Sequence, residues 1–331
     1  MIPTTSVTAG NPAATQPCYG AEPAYTLCRW PAGADGALGA WIAVPSQRLP
    51  EAPPLIAVHG IKRSAMAMAS GFAAAAAARG RVVVAPEFTK EAWPQYQQVV
   101  RQGRADKALL SLLAACRAAG FWHGGRLDLV GYSGGAQFAH RFAMLYPHLV
   151  GRLTLVAAGW YTFPDGAAFP YGLATRSDAA GRSAGFSAEF RAGFRTGHSA
   201  GCSEWGARMA EGLEAYLARP IRIVVGQSDT QSDEYLRRGG DLDAQQGCSR
   251  LQRAITYAAA LRRAADARGI IPDIACAVLP GAGHDLQQCL GGHRLARLAL
   301  GVATRLPCGV TNQAIPTHAP FTTTSKTEVT P

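Results

Sequence analysis

Residues 127–145 constrain the chain more than any other stretch. Leu127, Leu129 and Val130 belong to a short apolar run of β character that stops at Gly131. Phe138, Ala139, Phe142, Ala143, Met144 and Leu145 then follow a helical pattern. Between the two lies Gly131-Tyr132-Ser133-Gly134-Gly135, so the stretch reads as strand, sharp turn and helix with Ser133 at the tip. That is the layout of a nucleophile elbow, which presents a reactive serine above a parallel sheet. In so tight a turn the serine backbone is strained and neighbouring side chains would clash, hence the flanking glycines.

The same regular expression occurs again at Gly197-His198-Ser199-Ala200-Gly201. The residues before it include Glu189, Arg191, Gly193 and Arg195 and carry no buried-strand pattern, so Ser199 is expected to be a loop serine. The bland alternative for Ser133 is a structural turn at a ligand-binding helix N-terminus.

Strands and helices alternate around the elbow. Strands are expected at Leu38–Val44, Leu55–Val58, Val82–Ala85, Leu127–Val130, Leu153–Ala157, Ile221–Val225 and Ile274–Leu279. Helices are expected at Met66–Arg79, Asp106–Ala119, Leu251–Arg268 and Leu286–Ala303. Short apolar strands separated by helices predict an α/β fold: a doubly wound, mostly parallel sheet covered on both faces. The alternation breaks over residues 160–218, placed after the sixth strand, and this insertion is expected to form a lid. One domain is expected over residues 23–306. Residues 1–22 and 307–331 are rich in Thr, Pro, Ala and Gly and are expected to be disordered.

Composition removes several alternatives. Of 331 residues, 48% are apolar, enough for a large core, while the net charge of +10 comes mainly from scattered arginines. No Lys/Arg block or basic-aromatic stripe points to nucleic acid, and no run is long enough to span a membrane. The charge reads as background composition rather than as a preference for anionic substrates. Met1–Gln16 lacks a signal-peptide pattern, so a cytoplasmic protein is the expectation. The eight cysteines form neither Cys-x-x-Cys nor a zinc-spaced cluster. Cys116 and Cys276 fall on apolar patterns. Pairing of Cys18 with Cys28, or Cys289 with Cys308, is expected only for an exported protein whose upstream signal has been removed.

A serine needs a base to take its proton and a third group to orient that base. Parallel sheets place such groups at the carboxyl ends of strands. One strand ends in Gly226-Gln227-Ser228-Asp229, and the last ends in Pro280-Gly281-Ala282-Gly283-His284. With this chain order, Ser133, Asp229, His284, the sequence resembles the α/β-hydrolase superfamily over about residues 38–304. The resemblance implies Ser133 as nucleophile, His284 as base and Asp229 as the acid, although Asp233, Asp241 and Asp243 share its loop. Of the eight histidines, His284 alone follows a terminal strand through a glycine-rich loop. The resemblance also implies an oxyanion hole from the backbone N–H groups of Gly134 and Ile61, the latter in His59-Gly60-Ile61-Lys62-Arg63. His59 itself is expected to brace that loop.

Tyr132, Trp160 and Tyr161 are expected to line the substrate pocket. Lys62 and Arg63 either pair with a substrate carboxylate or are solvated charges, the second being favoured. The elbow and the segment Ala158-Gly159-Trp160-Tyr161-Thr162-Phe163-Pro164-Asp165 are similar to bacterial esterases grouped with polyhydroxyalkanoate depolymerases. The implied activity is serine-dependent cleavage of small or polyester-derived carboxylic esters, with no metal or organic cofactor. The substrate would be a small-molecule or oligomeric ester. Amidase, peptidase or thioesterase chemistry on the same residues is the alternative, followed by a non-catalytic binding protein.

Overall fold

The computed structural model describes residues 24–33, 36–101, 103–174 and 201–302. Within them eight strands form one sheet: β1 (Tyr25–Trp30), β2 (Ala40–Pro45), β3 (Leu55–Val58), β4 (Val83–Pro86), β5 (Leu127–Tyr132), β6 (Val150–Val156), β7 (Ile221–Gly226) and β8 (Ile274–Leu279). Their order is β1-β2-β4-β3-β5-β6-β7-β8. The β1–β2 and β2–β4 pairings are antiparallel, and every later pairing is parallel. β5 therefore sits in the interior of the sheet, where both faces are covered.

Successive side chains of a strand point to opposite faces, and β3 divides its residues this way. Ile56 and Val58 join one core with Leu129, Leu153 and Ile223. Leu55 and Ala57 join the other with Val83, Val130 and Val224. The first core is closed by α2 (Ala105–Ala118), α3 (Gly134–Leu145), α5 (Leu213–Leu217) and α7 (Arg250–Asp266), through residues such as Leu112, Phe138, Tyr216 and Leu261. The second is closed by α1 (Ala65–Ala77) and α9 (Arg294–Ala299), through Met68, Phe72 and Leu295. The remaining helices are α4 (Gly201–Glu211), α6 (Gly240–Gln246) and α8 (Leu286–Leu290).

Two features depart from the sequence expectation. β1 has no apolar run, because an edge strand buries its side chains only in part. The single terminal helix expected over 286–303 is broken at Gly291–His293, where Gly292 takes φ 66° and ends the helical path between α8 and α9. Of the expected lid, residues 160–174 and 201–217 are described. In them Leu213 and Tyr216 enter the core, and a Cβ on Gly212 would lie 2.1 Å from the Met144 carbonyl oxygen of α3.

Two fully buried imidazoles tie loops to this framework. The backbone N–H of Phe88 donates to His59 Nε2 (3.1 Å), and the N–H of Thr162 donates to His140 Nε2 (2.9 Å). A backbone N–H can only donate, so both rings carry their proton on Nδ1. From there His59 donates to the Gly60 carbonyl (2.8 Å) and His140 to the Ala136 carbonyl (2.9 Å). Burial lowers the His59 pKa from about 6.5 to about 4 and drives that of His140 well below 6.5. An unfolded histidine takes up a proton near pH 6.5, which folded His59 refuses until about pH 4. Between those values the unfolded state binds more protons, so stability falls as pH falls. The His59 share is about 3 kcal/mol across the window, with His140 acting in the same direction. Urea unfolding at several pH values from 7 to 4.5 should show this slope. A His59→Leu variant should be less stable at pH 7 yet lose less on acidification. A wild-type protein equally stable at pH 7 and 4.5 would rule the effect out.

Candidate active site

The elbow is built by close backbone approach. Ser133 sits between β5 and α3 at φ 53°, ψ −114°, a region that costs a non-glycine residue on the order of 1–3 kcal/mol. Its N–H is held by the Val156 carbonyl at 2.7 Å. A Cβ on Gly131 would lie 2.2 Å from Gly135 O, and one on Gly135 would lie 2.2 Å from Val58 O. Both glycines are therefore required by contact, and the first turn of α3 rests directly on the ends of β3 and β5.

A second close approach brings the other two residues to Ser133. A Cβ on Gly226 would lie 2.2 Å from Ala282 O. The loops after β7 and β8 are stitched by Ser228 N–H to Ala282 O and Gln227 N–H to Leu279 O, both 2.9 Å. His284 Nδ1 lies 2.9 Å from Asp229 Oδ2, and His284 Nε2 lies 3.1 Å from Ser133 Oγ. An ionised carboxylate only accepts, so Nδ1 carries the proton and Nε2 is left to accept from the serine hydroxyl. Asp229 is buried and Ser133 nearly so, while His284 reaches solvent. The Tyr132 ring stacks on the imidazole, with centroids 5.4 Å apart.

Two of the competing aspartates, Asp243 and Asp233, are engaged elsewhere. Asp243 pairs with Arg253 and Arg238, each at 2.7 Å. Asp233 accepts two hydrogen bonds from Arg250, at 2.8 and 2.9 Å, and this pairing holds its carboxyl below the usual range. Arg250 is buried, and its Nη1 is also 3.5 Å from Asp229 Oδ1. It went unread in the sequence, although one signal was there. Arg250 opens α7, and a cation at a helix N-terminus opposes the macrodipole unless acids compensate it.

Gly134 is the first residue of α3, so its N–H has no acceptor within the helix. Ile61 lies opposite: a Cβ on Gly134 would sit 2.8 Å from Ile61 Cγ2 and 3.5 Å from Ile61 N. His59 Nδ1 and Arg63 N–H both bind the Gly60 carbonyl. In a trans peptide the N–H points opposite to the carbonyl, so these bonds set the direction of the Ile61 N–H. Tyr96 adds a hydroxyl bond to the His59 carbonyl at 2.6 Å.

Arg63 takes neither of the roles expected for it. It donates to the carbonyls of Phe88, Thr89, Trp93 and Pro94 at 2.6–3.1 Å and lies over the Tyr96 ring. The loop of residues 59–63 and residues 88–96 are thereby one braced unit.

A cleft of about 350 Å³ opens over Ser133 and His284. Ile61, Met68, Tyr132 and Leu286 supply apolar surface, and Lys62, Asp233, Glu234 and Asp285 supply charge. Tyr132 and Lys62 line this cleft. Trp160 and Tyr161 do not. Tyr161 is fully buried and stacked on Tyr257 at 4.1 Å; Trp160 is covered by Tyr171 and the Arg141 guanidinium. The reason is backbone capture: the N–H groups of Tyr161 and Thr162 are drawn inward by Gln246 and His140. Ser199 lies outside the described residues, as do Cys18 and Cys308, while Cys28 and Cys289 are free thiols. Among the described residues no three His, Cys, Asp or Glu side chains gather as a metal site requires, and no helix is long and apolar enough to cross a membrane.

No protein-family model and no curated protein matches the sequence. Solved structures do match. Poly(aspartic acid) hydrolase-1 from Sphingomonas sp. KT-1 aligns with a TM-score of 0.63 at 22% identity, over 82% of this chain and 97% of that one. The poly(3-hydroxybutyrate) depolymerase LpqC from Bordetella parapertussis aligns at 0.62 and 24% identity, over 83% and 94%. A hyperthermophilic esterase from the archaeon Pyrobaculum calidifontis aligns at 0.50 and 14%, over 84% and 82%. These likenesses are of architecture. The chain has the α/β-hydrolase fold.

Proposed function

We propose that the protein is a serine hydrolase that cleaves carboxylic esters through an acyl-enzyme. The observation that carries this reading is the continuous path from Ser133 Oγ through the His284 ring to Asp229, at 3.1 and 2.9 Å, opening into a cleft. His284 Nε2 takes the hydroxyl proton as Ser133 Oγ attacks the acyl carbon. Asp229 holds the ring orientation and stabilises the imidazolium. The N–H groups of Gly134 and Ile61 receive the negative oxygen of the tetrahedral intermediate. The imidazolium then protonates the leaving alkoxide, and the alcohol departs. Water, deprotonated by the same nitrogen, attacks the acyl-serine, which releases the acid and restores the hydroxyl.

The small, partly apolar cleft suits a short acyl chain or the end of an oligomer. Likeness of fold to a poly(3-hydroxybutyrate) depolymerase supports an ester of hydroxyalkanoate type. Likeness to a poly(aspartic acid) hydrolase keeps amide cleavage as the second reading. A panel of ester, thioester and anilide substrates with matched acyl groups separates the two, and faster anilide than ester turnover would reverse the order.

Ser133→Ala should lose on the order of 10⁴-fold or more in kcat while melting like the wild type. Asp229→Asn should lower kcat strongly with little change in KM, because it alters only the orienting member. Activity retained in Ser133→Ala would remove the elbow from the mechanism.

Arg63→Met should lower kcat on charged and neutral esters alike, because it loosens the loop that aims the Ile61 N–H. Lys62→Ala should change KM only for carboxylate-bearing esters and only a few-fold, since an exposed ion pair contributes about 0.2–1 kcal/mol and fades with salt. Kinetics on an acidic ester and its neutral counterpart, at low and high salt, test both. A loss in Arg63→Met confined to the acidic ester would return Arg63 to a substrate contact.

A further inference from the structure

The pairing behind the histidine is uneven. Arg250 grips Asp233 with two bonds at 2.8 and 2.9 Å, yet stands 3.5 Å from Asp229. Its Nε has no partner among the described residues, so these two carboxylates are its polar anchors. Arg250 and Asp229 side chains are each 2% exposed, whereas that of Asp233 is 38% exposed and faces the cleft. A buried cation that loses one of two acids turns to the other, because an unpaired buried charge is costly.

We propose that Asp233 is a positioning residue that holds the Arg250 guanidinium back from Asp229, leaving the Asp229 carboxylate to serve His284. The proposal rests on the hydrolase reading above. Without Asp233, Arg250 closes on Asp229 Oδ1 and competes with the imidazole for the same carboxylate. Asp229 then supports the imidazolium less well.

The charge signs give a test that a merely structural role would not pass. Removing the Asp233 charge leaves Asp229 as the one carboxylate shared by Arg250 and His284, so protonation of His284 becomes harder. Removing the Arg250 charge leaves two carboxylates, so protonation becomes easier. The other groups facing His284 are unchanged in both cases: Tyr132 stacks on the ring, Asp285 follows it in the chain, Cys289 lies near Asp229 and Asp285, and Lys62 and Glu234 line the cleft.

The experiment compares kcat/KM against pH for wild type, Asp233→Asn, Arg250→Gln and the double variant. The acidic limb should move to lower pH in Asp233→Asn and to higher pH in Arg250→Gln, by about half a unit or more, as expected for unit charges at this range. In the double variant it should return towards wild type. Asp233→Asn should also lower kcat with KM nearly unchanged. NMR titration of the His284 ring gives the same shifts without turnover, so a slow variant still decides the matter. If Arg250→Gln fails to fold, Asp233→Asn decides alone, because its residue is partly exposed and the change is isosteric. A limb that stays in place or moves up in Asp233→Asn, or moves the same way in both single variants, overturns the proposal. Activity that survives Ser133→Ala strikes at the hydrolase reading, whereas Ser133-dependent activity with an unmoved limb strikes at this proposal alone.

Discussion

The site depends on the contact of α3 with the sheet. The chain passes from β5 into α3 through one residue, and the helix start lies on the ends of β3 and β5 with no room for a Cβ at Gly131 or Gly135. This contact forces Ser133 into positive φ and lifts its side chain above the sheet. It also leaves the Gly134 N–H unpaired within the helix, next to Ser133. The raised serine and the free N–H at the helix start are two results of one packing constraint. The strain at Ser133 is held by interior parallel strands that bury both faces.

The other parts of the site lie on loops, and those loops are held by side chains inside the protein. Buried Arg253 donates to the carbonyls of Gly247, Gly159 and Arg237 and to Asp243. Arg141 is fully buried, with no carboxylate among its hydrogen-bond partners in the described residues. It donates to Thr162 and to the carbonyls of Gln97 and Gln137 and lies over Trp160, and burial draws its pKa down to about 9. Arg63 gathers four carbonyls in the same manner. A planar guanidinium can bind several carbonyls at once, which a lysine ammonium does with less direction. Part of the positive charge that composition presents as background is therefore internal fastening of loops.

His59 and His140 complete that fastening as neutral groups, each spanning from one carbonyl to one backbone N–H. Three histidines thus occupy distinct electrostatic settings. Two are sealed from water and kept uncharged. His284 stands at the cleft beside Asp229, with the Arg250–Asp233 pair behind the acid.

The sequence by itself determined the strand–turn–helix at Ser133, the alternation that makes a parallel sheet, and the chain order of Ser133, Asp229 and His284. These are local or periodic signals: apolar spacing, glycines at a tight turn, and residues at the carboxyl ends of strands. β1 escaped because a half-buried edge strand has no apolar run, and the break at Gly292 because a glycine pair is compatible with helix until its φ is known. Only the tertiary structure decided where Arg63, Trp160 and Tyr161 point, since distant groups capture them or their backbone: the carbonyls of residues 88–94, Gln246 and His140. It also separated Asp229 from Asp233. Both stand in one polar loop, and the three-dimensional position of Arg250 sends one to the cation and leaves the other for the histidine.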